Sequence, residues 1–305
     1  MGKKQRDLGP TGFAIVDKPR GWTSHDVVAK ARGVFKTRKV GHSGTLDPDA
    51  TGVLLLGVGK ATRVLRFLDG VPKAYTGEIR FGSETDSLDS TGVVTKTFDM
   101  GPINLEAARL AARTLTGDIE QVPPMVSAKK VDGKRLHELA REGIEIERKP
   151  VPVTVYSFDL EPTDDPMVLE CSVECSAGTY IRSLAADLGA ALGGGAHLHG
   201  LRRTAIGSFT EAMSRPLDEV ELRSAADFVS DLGLITVDEE IATDVRYGRV
   251  FDAARIGATG DGPYPLVDAA GELLAVYEDH RGGTVKPAVV LADPPAKPTT
   301  PEAEQ

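Results

Sequence analysis

Hydrophobic and polar positions recur with two periods along this chain, and the changes of period mark its elements. Phe13 to Val16 is a short apolar run closed by a Lys-Pro-Arg-Gly turn, which predicts a strand. Beyond it, Val27, Val28, Ala31, Val34 and Phe35 share one helical face, and Thr23 with Asp26 predicts an N-terminal cap. "GVLLLGVG" is among the most apolar runs and follows a charged, turn-rich loop, "KVGHSGTLDPDAT". "YTGEIRFG" and "VPVTVYSFDL" read as strands, and "NLEAARLAARTL" as an amphipathic helix capped by Asn104. Leu169, Cys171, Val173 and Cys175 alternate with polar residues, so both thiols fall on the apolar face of a strand. Between Pro123 and Pro152 the chain turns polar and basic, with a turn at Asp132–Gly133 and a short helix from about Lys134 to Arg141. After Leu232 come an acidic helical segment and then alternating runs with Gly turns, which predict a small β-rich domain. The Pro-rich tail reads as disordered. The fold class is mixed α/β, of the α+β kind.

Composition narrows the function classes. A chain of 305 residues, 41% hydrophobic, holds one large domain and a smaller one. Its apolar runs fall short of the roughly 20 residues of a membrane helix, and the start has no hydrophobic signal core, which predicts a cytoplasmic protein. The net charge of −9 hides an asymmetry: residues 1–66 carry 13 Lys and Arg against 5 Asp and Glu, residues 211–305 carry 8 against 19. A locally basic surface can attract phosphates while the acidic remainder keeps the protein soluble. The two cysteines stand four residues apart on one strand, about 13 Å, too far for a disulfide.

The loop before the apolar run carries the candidate chemistry. A phosphate cradle is a weak reading, because "GVGKAT" follows its Gly-Lys pair with Ala61. Asp49 fits an ordinary turn former, whose carboxylate bonds nearby backbone N–H groups. Asp47, between Leu46 and Pro48, is set to project from a rigid frame.

Here the sequence resembles a family. "GHSGTLDPDATGVLLLGVGKATR" is similar to the catalytic motif of the TruB family of bacterial tRNA pseudouridine-55 synthases. "DKPRGWTSHDVV", "KAYTGEIRFGSETDSLDSTG", "PPMVSAKKVDGKRLHELAREG", "CSAGTYIRSLAADLG" and "HLHGLRRTAIGSF" follow in that family's order. The resemblance covers about residues 10–212. It implies a pseudouridine synthase fold, a large mixed, mainly antiparallel sheet flanked by helices, with a small PUA-like β domain behind it. The corresponding division is a flexible 1–9, a catalytic domain 10–232 with a thumb-like arm 124–152, a PUA-like domain 233–292 and a tail 293–305.

The resemblance also implies roles. Asp47 is the nucleophile, attacking ribose or base or assisting glycal formation, and Arg182 is its partner, able to hold it bidentately and keep its pKa low. Tyr75 matches the tyrosine that stacks on the target base; read from the residues alone it is equally a strand aromatic in the core. Tyr180 and Leu201 match positions lining the uracil pocket, His42 one that packs against the T-loop, and Lys18 one that supports the active-site loop. Lys129, Lys130, Lys134, Arg135, Arg202 and Arg203 are candidates for the RNA backbone, as are Lys36, Arg38, Lys39 and Arg141. The implied partner of this monomer is the T-arm of tRNA; no cofactor and no metal are expected. A glycoside hydrolase needs a second positioned acid, and the sequence offers none beside the Asp47 loop.

Overall fold

The computed structural model describes residues 9–125, 130–131, 134–135 and 148–294, of which 130–131 and 134–135 as backbone only. In chain order the N-terminal part runs β1 (Gly12–Lys18), α1 (Ser24–Val34), β2 (Val40–Ser43), β3 (Thr51–Val58), β4 (Lys73–Phe81), β5 (Ser83–Thr85), β6 (Val94–Thr97), α2 (Leu105–Thr114) and β7 (Gly117–Gln121). It continues β8 (Lys130–Val131), β9 (Lys134–Arg135), β10 (Val151–Pro162), β11 (Val168–Cys175), α3 (Ile181–Ala191), β12 (Ala196–Ile206) and β13 (Phe209–Thr210). The C-terminal part holds β14 (Ile235–Thr236), α4 (Glu239–Arg246), β15 (Phe251–Asp252), β16 (Tyr264–Val267), β17 (Leu273–Asp279) and β18 (Thr284–Val290).

One nine-stranded sheet, ordered β1-β3-β12-β4-β11-β10-β7 with β2 on β3 and β13 on β12, forms the main body. Among the described residues, only β12 and β3 pair parallel in it. The continuous apolar run of β3 is explained by burial on both faces: Val53 and Leu55 join one core, Leu54, Leu56 and Val58 another under α1. Strand β11 buries Leu169, Cys171, Val173 and Cys175, as its alternation predicts. In β10 the phase slips between Val155 and Phe158, because a bulge between Val155 and Ser157 inserts one residue. Helices α2 and α3 cover this face through Ala108, Ala112, Leu184 and Leu188, and the same core takes in Leu46 and Ala50 of the Asp47 loop.

The caps follow the sequence. Thr23 and Asp26 form a complete capping box on α1, and Asn104 accepts from the Ala107 N–H on α2. One expectation is corrected: Lys134 and Arg135 are not the start of a helix. They pair with Val131 and Lys130 in a two-stranded antiparallel ladder. Residues 136–147, including Arg141, lie outside the described residues, as do Lys129 and the tail from 295.

The C-terminal sheet, ordered β14-β16-β17-β18-β15, is not a bead on a string. Val267, Leu273, Val276, Val289 and Leu291 share a core with Phe13, Ile15, Val53 and Leu55 of the main body. Lys60 donates to the Leu291 carbonyl (2.7 Å) and Arg63 to that of Val290.

Candidate active site

Residues Gly44 to Ala50 join β2 to β3, and four anchors hold this loop. The Ser24 hydroxyl, buried at the start of α1, accepts from Leu46 N–H (2.9 Å) and donates to the Leu46 carbonyl (3.2 Å). The Lys18 ammonium donates to the carbonyls of Pro48 (3.1 Å), Trp22 (2.6 Å) and Pro19 (3.0 Å). The Gly21 N–H also reaches the Pro48 carbonyl, and Ala50 N–H closes a turn onto Asp47. From below, Arg203 donates to the carbonyls of Gly44 (3.1 Å) and Val53 (2.7 Å). Just beyond the loop, Gly52 of β3 stands at φ +99°, where a side chain would collide with the Arg203 carbonyl oxygen.

Asp47 projects from this frame with its side chain 46% exposed, and its carboxylate meets Arg182 at 3.0 Å. Arg182, buried in the first turn of α3, does not give Asp47 its whole fork. Its other terminal nitrogen faces Asp89 (3.3 Å) and donates to the Ser87 carbonyl (2.8 Å). Arg182 is therefore shared between Asp47 and Asp89. Enclosure is the first cause that raises the Asp47 carboxyl above its ordinary value, Arg182 opposes it, and the Asp89 charge adds to the rise. The expectation of a depressed value is thus overturned.

Asp89 escaped the sequence reading, which found no second acid near Asp47. One of its oxygens accepts from Ser87 Oγ (2.6 Å), Thr91 N–H (3.0 Å) and Thr91 Oγ1 (2.6 Å), which turns the other to Arg182. The turn is fixed to β12 by Leu198 N–H on the Leu88 carbonyl and Ser90 N–H on that of Leu198. The legible signal was the Ser/Asp/Thr cluster "DSLDSTG", a self-bonding turn whose partner lies far away in sequence. Asp47, Asp49, Asp89, Arg182, Leu198 and Leu201 line one cleft of about 20 Å³, room for about one water.

The other candidates lie around this cleft. Tyr75 is buried on β4 beneath the loop, near the Arg203 charge; burial raises its pKa. Tyr180 is the residue that opens α3. His42 sits on β2, its ring edge-on to His25 at 5.4 Å; burial first, then the His25 and Arg203 charges, push its pKa down to about 4. Lys18 is fully buried, and burial lowers its ammonium to about 8. It holds the loop and has no exposed surface for substrate.

One arginine departs from its expected role. Arg203 is 1% exposed and bonded to two carbonyls, so it underpins the loop and cannot reach a phosphate. Arg202 is engaged by Asp17 (3.0 Å) and Glu211 (2.6 Å). Asp49 is also not a free turn former, since it faces Arg20 at 3.5 Å. The side chains of Lys130, Lys134 and Arg135, like all of Lys129, lie outside the described residues. Among the described residues no group of three or more His, Cys, Asp or Glu could hold a metal, and no helix is long and apolar enough to cross a membrane.

Comparison with known proteins places this geometry. The proteins named tRNA pseudouridine synthase B from Arthrobacter sp. (strain FB24) and Streptomyces coelicolor are 43% and 44% identical, covering 92% and 91% of this chain and 97% and 96% of their own. A solved Cbf5-Nop10-Gar1 complex contains a chain of the same fold, with TM-score 0.71 at 23% identity, covering 92% of this chain and 85% of that one. Residues 32–181 match "TruB family pseudouridylate synthase (N terminal domain)" and residues 182–231 match "tRNA pseudouridylate synthase B C-terminal domain". The chain therefore belongs to the TruB family of pseudouridylate synthases, which are isomerases.

Proposed function

We propose that this protein isomerises uridine 55 in the T-loop of tRNA to pseudouridine, with Asp47 as the nucleophile. One observation carries the reading: the half-exposed carboxylate of Asp47 stands on an anchored loop against a buried arginine that a second acid, Asp89, also engages. The reaction breaks the C1′–N1 bond, turns the uracil, and joins C1′ to C5; a proton leaves C5 and one is gained at N1. Nothing is oxidised and no atom is added, so no group beyond the chain's own is required. Arg182 keeps Asp47 ionised in an enclosed site and orients it. An ionised carboxylate is a competent nucleophile whose adduct can reverse.

The target uridine is flipped out of its stack, at a cost of a few kcal/mol offset by contacts in the pocket. The cleft lined by Asp47, Asp89, Arg182, Leu198 and Leu201 is the proposed place of entry for the uracil. Tyr75 and Tyr180 are proposed to meet it, and Lys129, Lys130, Lys134 and Arg135 of the arm to hold backbone phosphates. The β-rich unit from 233 is proposed to be PUA-like, and its acidic charge makes it a weak electrostatic contributor. Mapping pseudouridine in tRNA from cells with and without this protein tests the proposal. Loss at position 55 alone is expected, and its persistence there without the protein would overturn the assignment.

A further inference from the structure

Gln121 ends β7, the edge strand of the large sheet, and is completely buried. Its side-chain amide faces the backbone of Tyr180 and satisfies both of that residue's peptide groups. Oε1 accepts the Tyr180 N–H at 2.7 Å, and Nε2 donates to the Tyr180 carbonyl at 3.1 Å. That carbonyl also accepts the N–H groups of Ser183 and Leu184 that open α3. Tyr180 offers no side-chain cap of its own, and Gln121 instead holds the peptide groups of this first residue of the turn. A second tie lies one residue further on, where the Ser183 hydroxyl donates to the Val122 carbonyl at 3.1 Å. Between these two ties stands Arg182.

We propose that Gln121 is a positioning residue for the isomerisation: its amide fixes the first turn of α3, and thereby the angle at which Arg182 divides its fork between Asp47 and Asp89. This rests on the reading that Asp47 and Arg182 act on the target uridine. The geometry gives the amide a specific task. Different terminal nitrogens of Arg182 face the two carboxylates, 3.0 Å to Asp47 and 3.3 Å to Asp89, so a small rotation of the turn favours one acid at the other's expense. A group that both accepts from and donates to the same residue resists that rotation in either sense. A group that only accepts leaves the Tyr180 carbonyl facing a lone pair.

That chemistry supplies a test separating positioning from simple packing. Gln121→Glu preserves shape, and its ionised form accepts from Tyr180 N–H but repels the Tyr180 carbonyl. Its protonated form has one O–H and one carbonyl oxygen, which restores the original pattern, and burial favours that form. Single-turnover pseudouridine formation on a T-arm RNA, at saturating enzyme, is compared for the wild type, Gln121→Glu and Gln121→Met from about pH 8.5 to about pH 6. The glutamate variant is expected to be slower by at least about 10-fold at high pH and to recover toward the wild type on acidification, with RNA affinity unchanged. Gln121→Met is expected to be slow throughout, with a flat ratio to the wild type. Should the methionine variant not fold, the rising Gln121→Glu ratio alone carries the result. A glutamate variant with a pH-independent ratio, or variants that lose only melting temperature or RNA affinity, would overturn the proposal. A wild-type protein that forms no pseudouridine would count against the function proposed above, whereas variants that match an active wild type count against Gln121 alone.

Discussion

At the scale of single residues, the site depends on how one guanidinium is divided. Arg182→Lys supplies a point charge that cannot reach Asp47, Asp89 and the Ser87 carbonyl together, so the single-turnover rate should fall on the order of 10²-fold. A lysine variant at the parent rate would show that the fork is dispensable. Asp89→Asn removes a charge that raises the Asp47 carboxyl, so the acid limb of the rate profile should move to lower pH while the maximal rate drops. An acid limb that stays in place would contradict the coupling. His42 gives a stability prediction. Its folded value of about 4 lies below the unfolded 6.5, so acid protonates the unfolded chain first. Stability from this residue is present above pH 6.5 and lost as pH falls toward 4, by on the order of 1–3 kcal/mol. Denaturation of His42→Asn should show a flatter pH dependence across that window. Asp47 and Arg182 were legible in the sequence because each sits in a dense motif. Asp89 and the burial of Arg203 were not, since they depend on which strand faces which: "LRRT" shows two adjacent arginines and cannot say that one points into the core.

At the scale of elements, local signals and observed structure agree where the cause is local. The Thr23–Asp26 box caps α1 through contacts within four residues, and Thr23→Ala should cost about 1 kcal/mol of unfolding free energy in denaturant titration. No measurable change would mean the cap is idle. The same helix start carries Ser24, which clamps Leu46, so the variant should also slow catalysis slightly at unchanged RNA affinity. Strand β11 was readable from its alternation; β10 blurs the pattern because its bulge shifts the buried set by one position. The Lys134–Arg135 strand was misread as helix because basic and apolar residues in "GKRLHELAREG" carry helical spacing, while the pairing partner, Lys130–Val131, lies across the turn. The kink in β12 between Leu198 and Gly200, which places Leu201 at the cleft, has no local signal beyond the glycine.

At the scale of the whole molecule, the β-rich unit was legible as a separate composition but not as a docked one. Its Leu273 packs in a core that includes Phe13 and Val53, the latter on the strand that leaves the Asp47 loop. Leu273→Ala should cost about 2–4 kcal/mol and leave unfolding as one cooperative transition. Two resolved transitions would show that the units fold independently. The central claim, that Asp47 performs the chemistry and is not merely part of an RNA-binding surface, is met most directly by one experiment. Purified Asp47→Asn is mixed in excess with T-arm RNA, and binding and pseudouridine formation are followed in the same samples. The amide keeps the shape and cannot act as the nucleophile, so binding should be retained and product absent. Product formed near the parent rate would contradict the account.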